Sequence, residues 1–401
     1  MHELNALRPV TAAPAGPPTP VVLDSVLAVE AARSELEAVA WTRLDPVPDY
    51  FLAVIASRRE VLRPHVVRLP GVEGGEMVLA ARLEKIPWSV SVGYRTVYRP
   101  RMRALTLVHG GVSGLESDVD ADLLLQTVRA SLPAANADVL SLPALRVGSP
   151  LHTAAIAAPS ALRSRFRHRS THWTLRLPDS FDEFLRSRSK KTRENVRVYG
   201  NRLNRDHGDG LSLRVFREPG ELERLMAEVE TVAATTYQRG LGVAPADTEE
   251  DRALTELSLN RGWFRAWVLS LDGRPIAFWS GSAFDRTFFV GTPGYDPAFA
   301  DYSIGTYLLM RVIEELCADD EIDVLDYGFG ESDYKRRFGS DSWEEEDVLI
   351  FAPSFRGVRI NATRTAVAGA AQLTRAVAAK TGLAPWLKRR WRRRLTARTD
   401  S

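Results

Sequence analysis

The chain has 401 residues, 45% of them hydrophobic and 26% charged, with a formal net charge of +2. That balance fits an ordinary globular protein with a sizeable core and excludes a polyelectrolyte that binds through its whole surface. A single cysteine, Cys317, excludes an intrachain disulfide framework and a cysteine-cluster zinc site.

The opening MHELNALRPVTAAPAGPPTP has no basic start followed by an apolar core, so it does not read as a signal peptide. Its prolines and alanines suggest a disordered leader over residues 1–22. From Val21 to about Ile55 the pattern is helical. Val66–Leu69, Met77–Leu83, Ser89–Val97 and Leu105–Val108 follow as antiparallel strands. Ala121–Ser131 reads as a helix and Val139–Leu142 as a buried strand. These elements make an N-terminal α/β unit over residues 23–160.

Arg163, Arg165, Arg167 and Arg169 alternate with other residues, which suits an extended strand. A basic helix follows over residues 189–205, SKKTRENVRVYGNRLNR, with Val196, Tyr199 and Leu203 on one stripe. Between Arg163 and Arg205 there are 13 basic residues against 4 acidic. This excess suits polyanions such as coenzyme A phosphates, a sugar-nucleotide substrate, tRNA or anionic lipid. No nucleic-acid-binding module accompanies it, so sequence-specific nucleic-acid binding is not expected.

Further on come a strand, two helices and a hairpin through Asp272-Gly273, a strong turn signal. Strand Thr287–Gly291, the loop PGYDPAFADYS and helix Ile304–Cys317 lead to strand Val324–Tyr327. Cys317 lies in that apolar helical pattern and reads as a core thiol. Trp343–Phe351 returns as a strand, closing a unit over residues 161–355. Residues 356–401 form an alanine-rich helix and a basic tail. Trp386–Arg394 in that tail pairs tryptophans with Lys and Arg, as a contact with an anionic membrane surface would. No stretch reaches the roughly 20 apolar residues a spanning helix needs. A disordered basic tail is the equal alternative, so the expected location is the cytoplasm, either free or peripheral at the inner face of the membrane.

Two places carry chemistry. The start of the helix at Ile304 offers unpaired N–H groups, and Ser303, Gly305 and Thr306 are small enough to let a phosphate approach. The stretch LDYGFGESDYKRRFG, Leu325–Gly339, crowds acids, tyrosines and a lysine around Gly328 and Gly330 at one strand end. His109-Gly110-Gly111 is not followed by Gly-x-Ser-x-Gly, and there is no His-Glu-x-x-His and no P-loop. No metal site is expected.

The order hairpin, third strand, phosphate-ready helix and strand ending in a polar cluster resembles the GNAT acyltransferase fold. SKKTRENVRVYGNRLNR, GWFRAWVLSLDGRPIAFW, GYDPAFADYSIGTYLLMRVIEEL and VLDYGFGESDYKRRFG resemble the CelD/BcsL-type GNAT family, which is similar in turn to the FemABX aminoacyltransferases. The likeness covers residues 165–352 well and 25–160 loosely. Of the general GNAT loop, Arg/Gln-x-x-Gly-x-Gly/Ala, only Gly305 is kept, and Tyr307 stands where a small residue is usual.

The resemblance implies an α/β (α+β) fold: two GNAT-like units in tandem, mixed and mostly antiparallel sheets flanked by helices, the N-terminal one degenerate. It implies acetyl-CoA or another acyl-CoA as cosubstrate, held by Val290, Gly291, Ser303, Ile304, Gly305 and Thr306. N–H groups near Val290 or Gly291 would stabilise an oxyanion. Asp326 or Glu331 would be the base and Tyr334 the donor to the departing thiolate. Lys335, Tyr327 and Arg193 are expected to bind the acceptor, an amine or hydroxyl of a metabolite or of a cell-envelope or exopolysaccharide precursor. The alternatives are a FemABX-like transferase using aminoacyl-tRNA and a non-catalytic scaffold for envelope assembly.

Overall fold

Alternating apolar residues commit most of the chain to one twisted sheet. The computed structural model describes residues 19–72, 74–87, 90–92, 95–98, 101–236 and 247–380. The first half contains β1 (Val21–Leu23), α1 (Val26–Ala31), α2 (Arg33–Glu37), α3 (Pro48–Ser57), β2 (Val61–Pro70), β3 (Glu76–Pro87), β4 (Val90–Val92), β5 (Arg95–Tyr98), β6 (Arg101–Ser113), α4 (Asp118–Ser131), β7 (Val139–Arg146) and α5 (Pro150–Ala157). The second half runs β8 (His168–Arg176), α6 (Phe181–Ser187), α7 (Lys190–His207), β9 (Leu211–Phe216), α8 (Leu222–Ala233), α9 (Glu249–Asn260), β10 (Phe264–Leu271), β11 (Arg274–Phe284), β12 (Thr287–Tyr295), α10 (Ile304–Cys317), β13 (Val324–Phe329), α11 (Asp333–Phe338), β14 (Asp341–Phe351) and α12 (Phe355–Lys380).

Twelve strands form one sheet in the order β1-β2-β3-β6-β7-β14-β8-β13-β12-β11-β10-β9. It reads the same from both ends. Each half is an antiparallel meander, then a helix, then a strand parallel to the last meander strand: β6, α4, β7 and β12, α10, β13. These are the two GNAT-like units in tandem that the sequence suggests. The middle is exchanged. β8, which follows the last helix of the first half, pairs with β13 and not with β7, and β14 returns from the end of the second half to pair with β7. Val348 and Ile350 of β14 therefore sit in the first unit's core beside Leu140, Leu142 and Leu105.

Helices cover both faces. α10 lays Ile304, Leu308, Val312 and Ile313 on Leu175, Phe288 and Leu325. α8 covers Ala266, Val268 and Phe278 on the other face. Ion pairs Arg58–Glu250, at 2.7 Å, and Arg261–Asp49 tie the α3 region to α9 and the turn that follows it.

Three expectations change. β1 begins at Val21, inside the leader, because Val21–Leu23 pairs with Val66–Arg68. The helical pattern up to Ile55 is a short strand and three short helices, broken at Ala32 and again after Ala38. Of the four alternating arginines only Arg169 lies in β8. Arg167 and Arg169 turn inward onto buried Glu346, at 2.7 and 2.9 Å. His152 donates to the same carboxylate through Nε2, at 2.9 Å, because its Nδ1 accepts from the Gly148 N–H.

Because β14 is common to both halves, replacing fully buried Ile350 by Ala should cost about 3 kcal/mol and destabilise the whole sheet in one step. Urea unfolding followed by fluorescence and circular dichroism checks this: coincident, shifted transitions are expected.

Candidate active site

β12 and β13 pair in parallel over only three positions, Thr287↔Val324, Phe288↔Leu325 and Phe289↔Asp326. Both strands then continue without each other. β12 bulges at the same point, with Gly281 opposite Val290 but Trp279 opposite Pro293, so Gly291 and Thr292 face Ser280 alone. Past Phe289, the N–H groups of β12 that would face β13 have no strand partner. β13 bulges too: Tyr327 is skipped in the pairing with β8, and Gly328 adopts φ +70.

A groove of about 620 Å³ opens beside this gap. Its walls are Pro293, Gly294, Tyr295, Trp279, Tyr334 and the first turn of α10. Ser303 takes a left-handed conformation with φ +52, and its side chain does not cap the helix. Its carbonyl accepts from the Thr306 and Tyr307 N–H groups, which leaves the Ile304 and Gly305 N–H groups as unpaired donors. No acid occupies that first turn. A Cβ on Gly305 would meet the Tyr295 ring at 3.4 Å, an ordinary contact, so Gly305 faces the groove wall across little more than that space. Tyr307 does not crowd the groove: its ring packs toward Gly200 of α7 and under Arg311.

The equivalent helix start in the first half has the opposite chemistry. Ser117 caps α4, Asp118 and Asp120 fill its first turn, and buried Asp120 accepts from Val72 N–H at 2.9 Å. Negative charge is already in place there, so an anion is repelled.

A second cavity, about 520 Å³, runs across the middle of the sheet from the β6–β7 gap to the β12–β13 gap. It is lined by His109–Gly111 of β6, Ala144–Arg146 of β7, Glu345, His172, Phe289, Val290, Asp326, Gly328 and Arg43. Four charged groups form a chain along it. His172 Nε2 lies 2.7 Å from Asp326 Oδ1, and Nδ1 lies 2.9 Å from Glu345 Oε1. Asp326 Oδ2 accepts from Arg43 at 2.7 Å, and Oδ1 also accepts from Gly328 N–H at 2.7 Å. The His172 ring stacks on Trp343 at 4.5 Å, whose Nε1 donates to Glu345 Oε1. Arg43 covers Phe289.

Burial alone would lower the His172 pKa, but hydrogen bonds to Asp326 and Glu345 outweigh it and raise it. Burial would raise that of Asp326. The His172 hydrogen bond and the Arg43 charge prevail and hold it low. The structure thus gives Asp326 a different part from the expected base: both its oxygens are occupied and it holds a proton poorly. It anchors Arg43 and His172 at the point where the strands part.

The remaining expected residues separate. Tyr334 lines the groove, edge-on to Trp279 and Tyr327, and burial raises its pKa, so it is a neutral phenol able to donate. Tyr327 is buried behind it, its hydroxyl without a hydrogen-bond partner among the described residues. Glu331 is exposed and lines neither cavity. Lys335 pairs with no acid among the described residues: its Nζ donates to the Gly328 and Phe329 carbonyls, at 3.3 and 2.7 Å, and fixes the β13 end. Asp333 pairs with Arg336 instead. Arg193 donates to the Arg186 and Arg188 carbonyls and ties α6 to α7, outside both cavities. Val290 lines the central cleft and Gly291 sits in the bulge. Ser303, Ile304, Gly305 and Thr306 all line the groove. Cys317 is half-buried at the edge of the core, and burial pushes its thiol up to about 11. The tail residues Trp386–Arg394 lie outside the described residues. No described helix is long and apolar enough to cross a membrane.

His172, Glu345 and Arg43 were not legible in the sequence. They come from three distant segments, and no local spacing marks them.

Residues 190–336 match the family described as the acetyltransferase (GNAT) domain. The chain therefore carries a GNAT-type acyltransferase fold, and the matched segment includes the α10 groove and β13. Among solved structures, that of FemX is 10% identical, with a TM-score of 0.55 over 80% of this chain and 96% of FemX. A conserved protein of unknown function from Bacteroides thetaiotaomicron VPI-5482 is 12% identical, with a TM-score of 0.49 over 80% and 97%. A tandem GNAT protein from the clavulanic acid biosynthesis pathway is 13% identical, with a TM-score of 0.46 over 84% and 100%. The likeness to FemX concerns the fold alone. No curated protein matches the chain. The CelD/BcsL-type resemblance stays a reading of the sequence.

The ion chain has a signed pH dependence. The His172 contribution is complete below the ordinary histidine pKa of about 6.5 and is lost as pH rises through its higher folded value. The Asp326 contribution is complete above about 3.9 and is lost as pH falls through its lower folded value. The Tm difference between wild type and His172→Gln should therefore be largest at mildly acidic pH and shrink on the alkaline side. Thermal unfolding across pH measures it, and a difference that grows with alkalinity contradicts the assignment.

Proposed function

We propose that this protein moves an acyl group from acyl-CoA, held in the α10 groove, to an amine or hydroxyl in the central cleft. The acceptor is a metabolite or a cell-envelope precursor. The observation that carries this reading is the β12–β13 gap, which lies between a groove lined with unpaired amides and a cleft lined with buried charge.

The residues divide the work. Ile304 and Gly305 N–H groups at the positive end of α10 take the diphosphate. The bulge at Gly291–Thr292 turns backbone amide toward the gap, where a thioester carbonyl gathers charge as the acceptor adds. The acceptor loses its proton, its lone pair forms the new bond to carbon, and the carbon–sulfur electron pair leaves on sulfur. Tyr334 supplies the proton that sulfur needs and regains one from the acceptor through solvent. Lys335 holds the β13 end through the Gly328 and Phe329 carbonyls.

One observation favours a second donor. α7 packs on α10 and shows solvent exposed Lys191 and Arg197, which no described acid pairs, in a place where the phosphates of an aminoacyl-tRNA would pass.

Acetyl-CoA titrated by calorimetry should bind, and Gly305→Val should weaken it about tenfold or more. Tyr334→Phe should lower kcat by about 10² with little change in KM for the donor. Absence of binding at millimolar acetyl-CoA removes the acyl-CoA reading. Activity that disappears on ribonuclease treatment transfers the assignment to the tRNA donor.

A further inference from the structure

Arg146 and Glu345 are directly opposed residues of β7 and β14, so their side chains leave the sheet on the same face. An Arg and a Glu so placed would normally pair. Here they do not. Glu345 turns one oxygen to His172 and to Trp343 Nε1, and its Oε2 has no hydrogen-bond partner among the described residues although Glu345 is only 7% exposed. Arg146 spreads over the Trp343 ring, 5.1 Å from its centroid, and has no carboxylate partner among the described residues. Both line the central cleft. A buried carboxylate oxygen left unpaired is costly unless a ligand satisfies it.

The cleft's other charged groups are already committed to one another. Its other acid, Asp326, is saturated by His172, Arg43 and Gly328. Arg43 is committed to Asp326. Phe329, 63% exposed, and Leu107, Val108 and Val112 add apolar lining to the same cleft. The volume, about 520 Å³, is that of a site for a small organic molecule.

We propose that the cleft recognises a zwitterion: an ammonium group on Glu345 Oε2 and an anionic group on Arg146, joined by a short apolar chain against Phe329. This assignment of the acceptor class rests on reading the cleft as the acceptor side. Glu345 and Arg146 are specificity-determining residues on this view.

The test uses the whole chain without acyl donor. Saturation-transfer NMR reads the binding of ω-amino carboxylates from β-alanine to aminocaproate, of matched alkylamines and of matched carboxylates. At least one amino carboxylate should bind about tenfold or more tightly than either single-charge partner. Glu345→Gln should erase the advantage over the carboxylate, and Arg146→Gln the advantage over the alkylamine. Arg146 is exposed at the rim, so its variant decides the matter even if the Glu345 variant fails to fold. Equal binding of all three ligand classes, or a preference that survives Arg146→Gln, overturns the proposal. Acetyl-CoA calorimetry on the same sample keeps the two readings apart. Donor binding without zwitterion binding removes only this inference. Zwitterion binding without donor binding leaves the site standing and removes the transfer reading.

Discussion

Neighbouring parallel strands usually exchange backbone hydrogen bonds until one of them ends. β12 and β13 stop after Phe289↔Asp326 while both run on. Everything at the site follows from that early parting. It releases the amides of β12 from the ladder and lets the bulge at Gly291–Thr292 turn them. It also leaves Asp326 at the edge of an opening, where a carboxylate survives burial only with partners. Arg43, His172 and the Gly328 N–H supply them. Breaking one member of such a chain leaves an uncompensated buried charge, which is far more costly than losing a surface pair.

The same construction in the first half shows what sequence changes do to it. β6 and β7 also part after three pairs, at Thr106↔Ser141. Ser141 stands there in place of Asp326, and the helix start carries Asp118 and Asp120 in place of Ile304 and Thr306. One half thus keeps an anion-receptive helix terminus, and the other uses its gap to widen the central cleft. The strand exchange of β8 and β14 welds the two halves, so His172 and Glu345 reach a site formed around the parting strands.

Much of the fold was legible because its signals are local. Asp272-Gly273 marks the β10–β11 turn, and the apolar stripe of Ile304–Cys317 marks α10. The cluster after Leu325 marks the end of β13. The Ser303–Thr306 turn was readable for the same reason, since an anion-receptive helix start is a property of a few consecutive residues. The ion chain was not readable. Arg43, His172, Asp326 and Glu345 meet only through the exchange of β8 and β14 and a loop from the N-terminal helices. Lys335 and Arg193 misled because a cation near a polar motif suggests a ligand, whereas both spend their donors on backbone carbonyls. Glu331 lies in the motif by sequence but outside both cavities, because Gly330 at φ +97 turns the chain away.

A crystal structure with a non-transferable acetyl-CoA analogue tests the central claim most directly. The account predicts the diphosphate on the Ile304 and Gly305 amides and the acyl carbonyl at the Gly291–Thr292 bulge, with its methyl pointing through the gap toward Asp326. An analogue bound elsewhere, or a gap closed by continued pairing of β12 with β13, contradicts it.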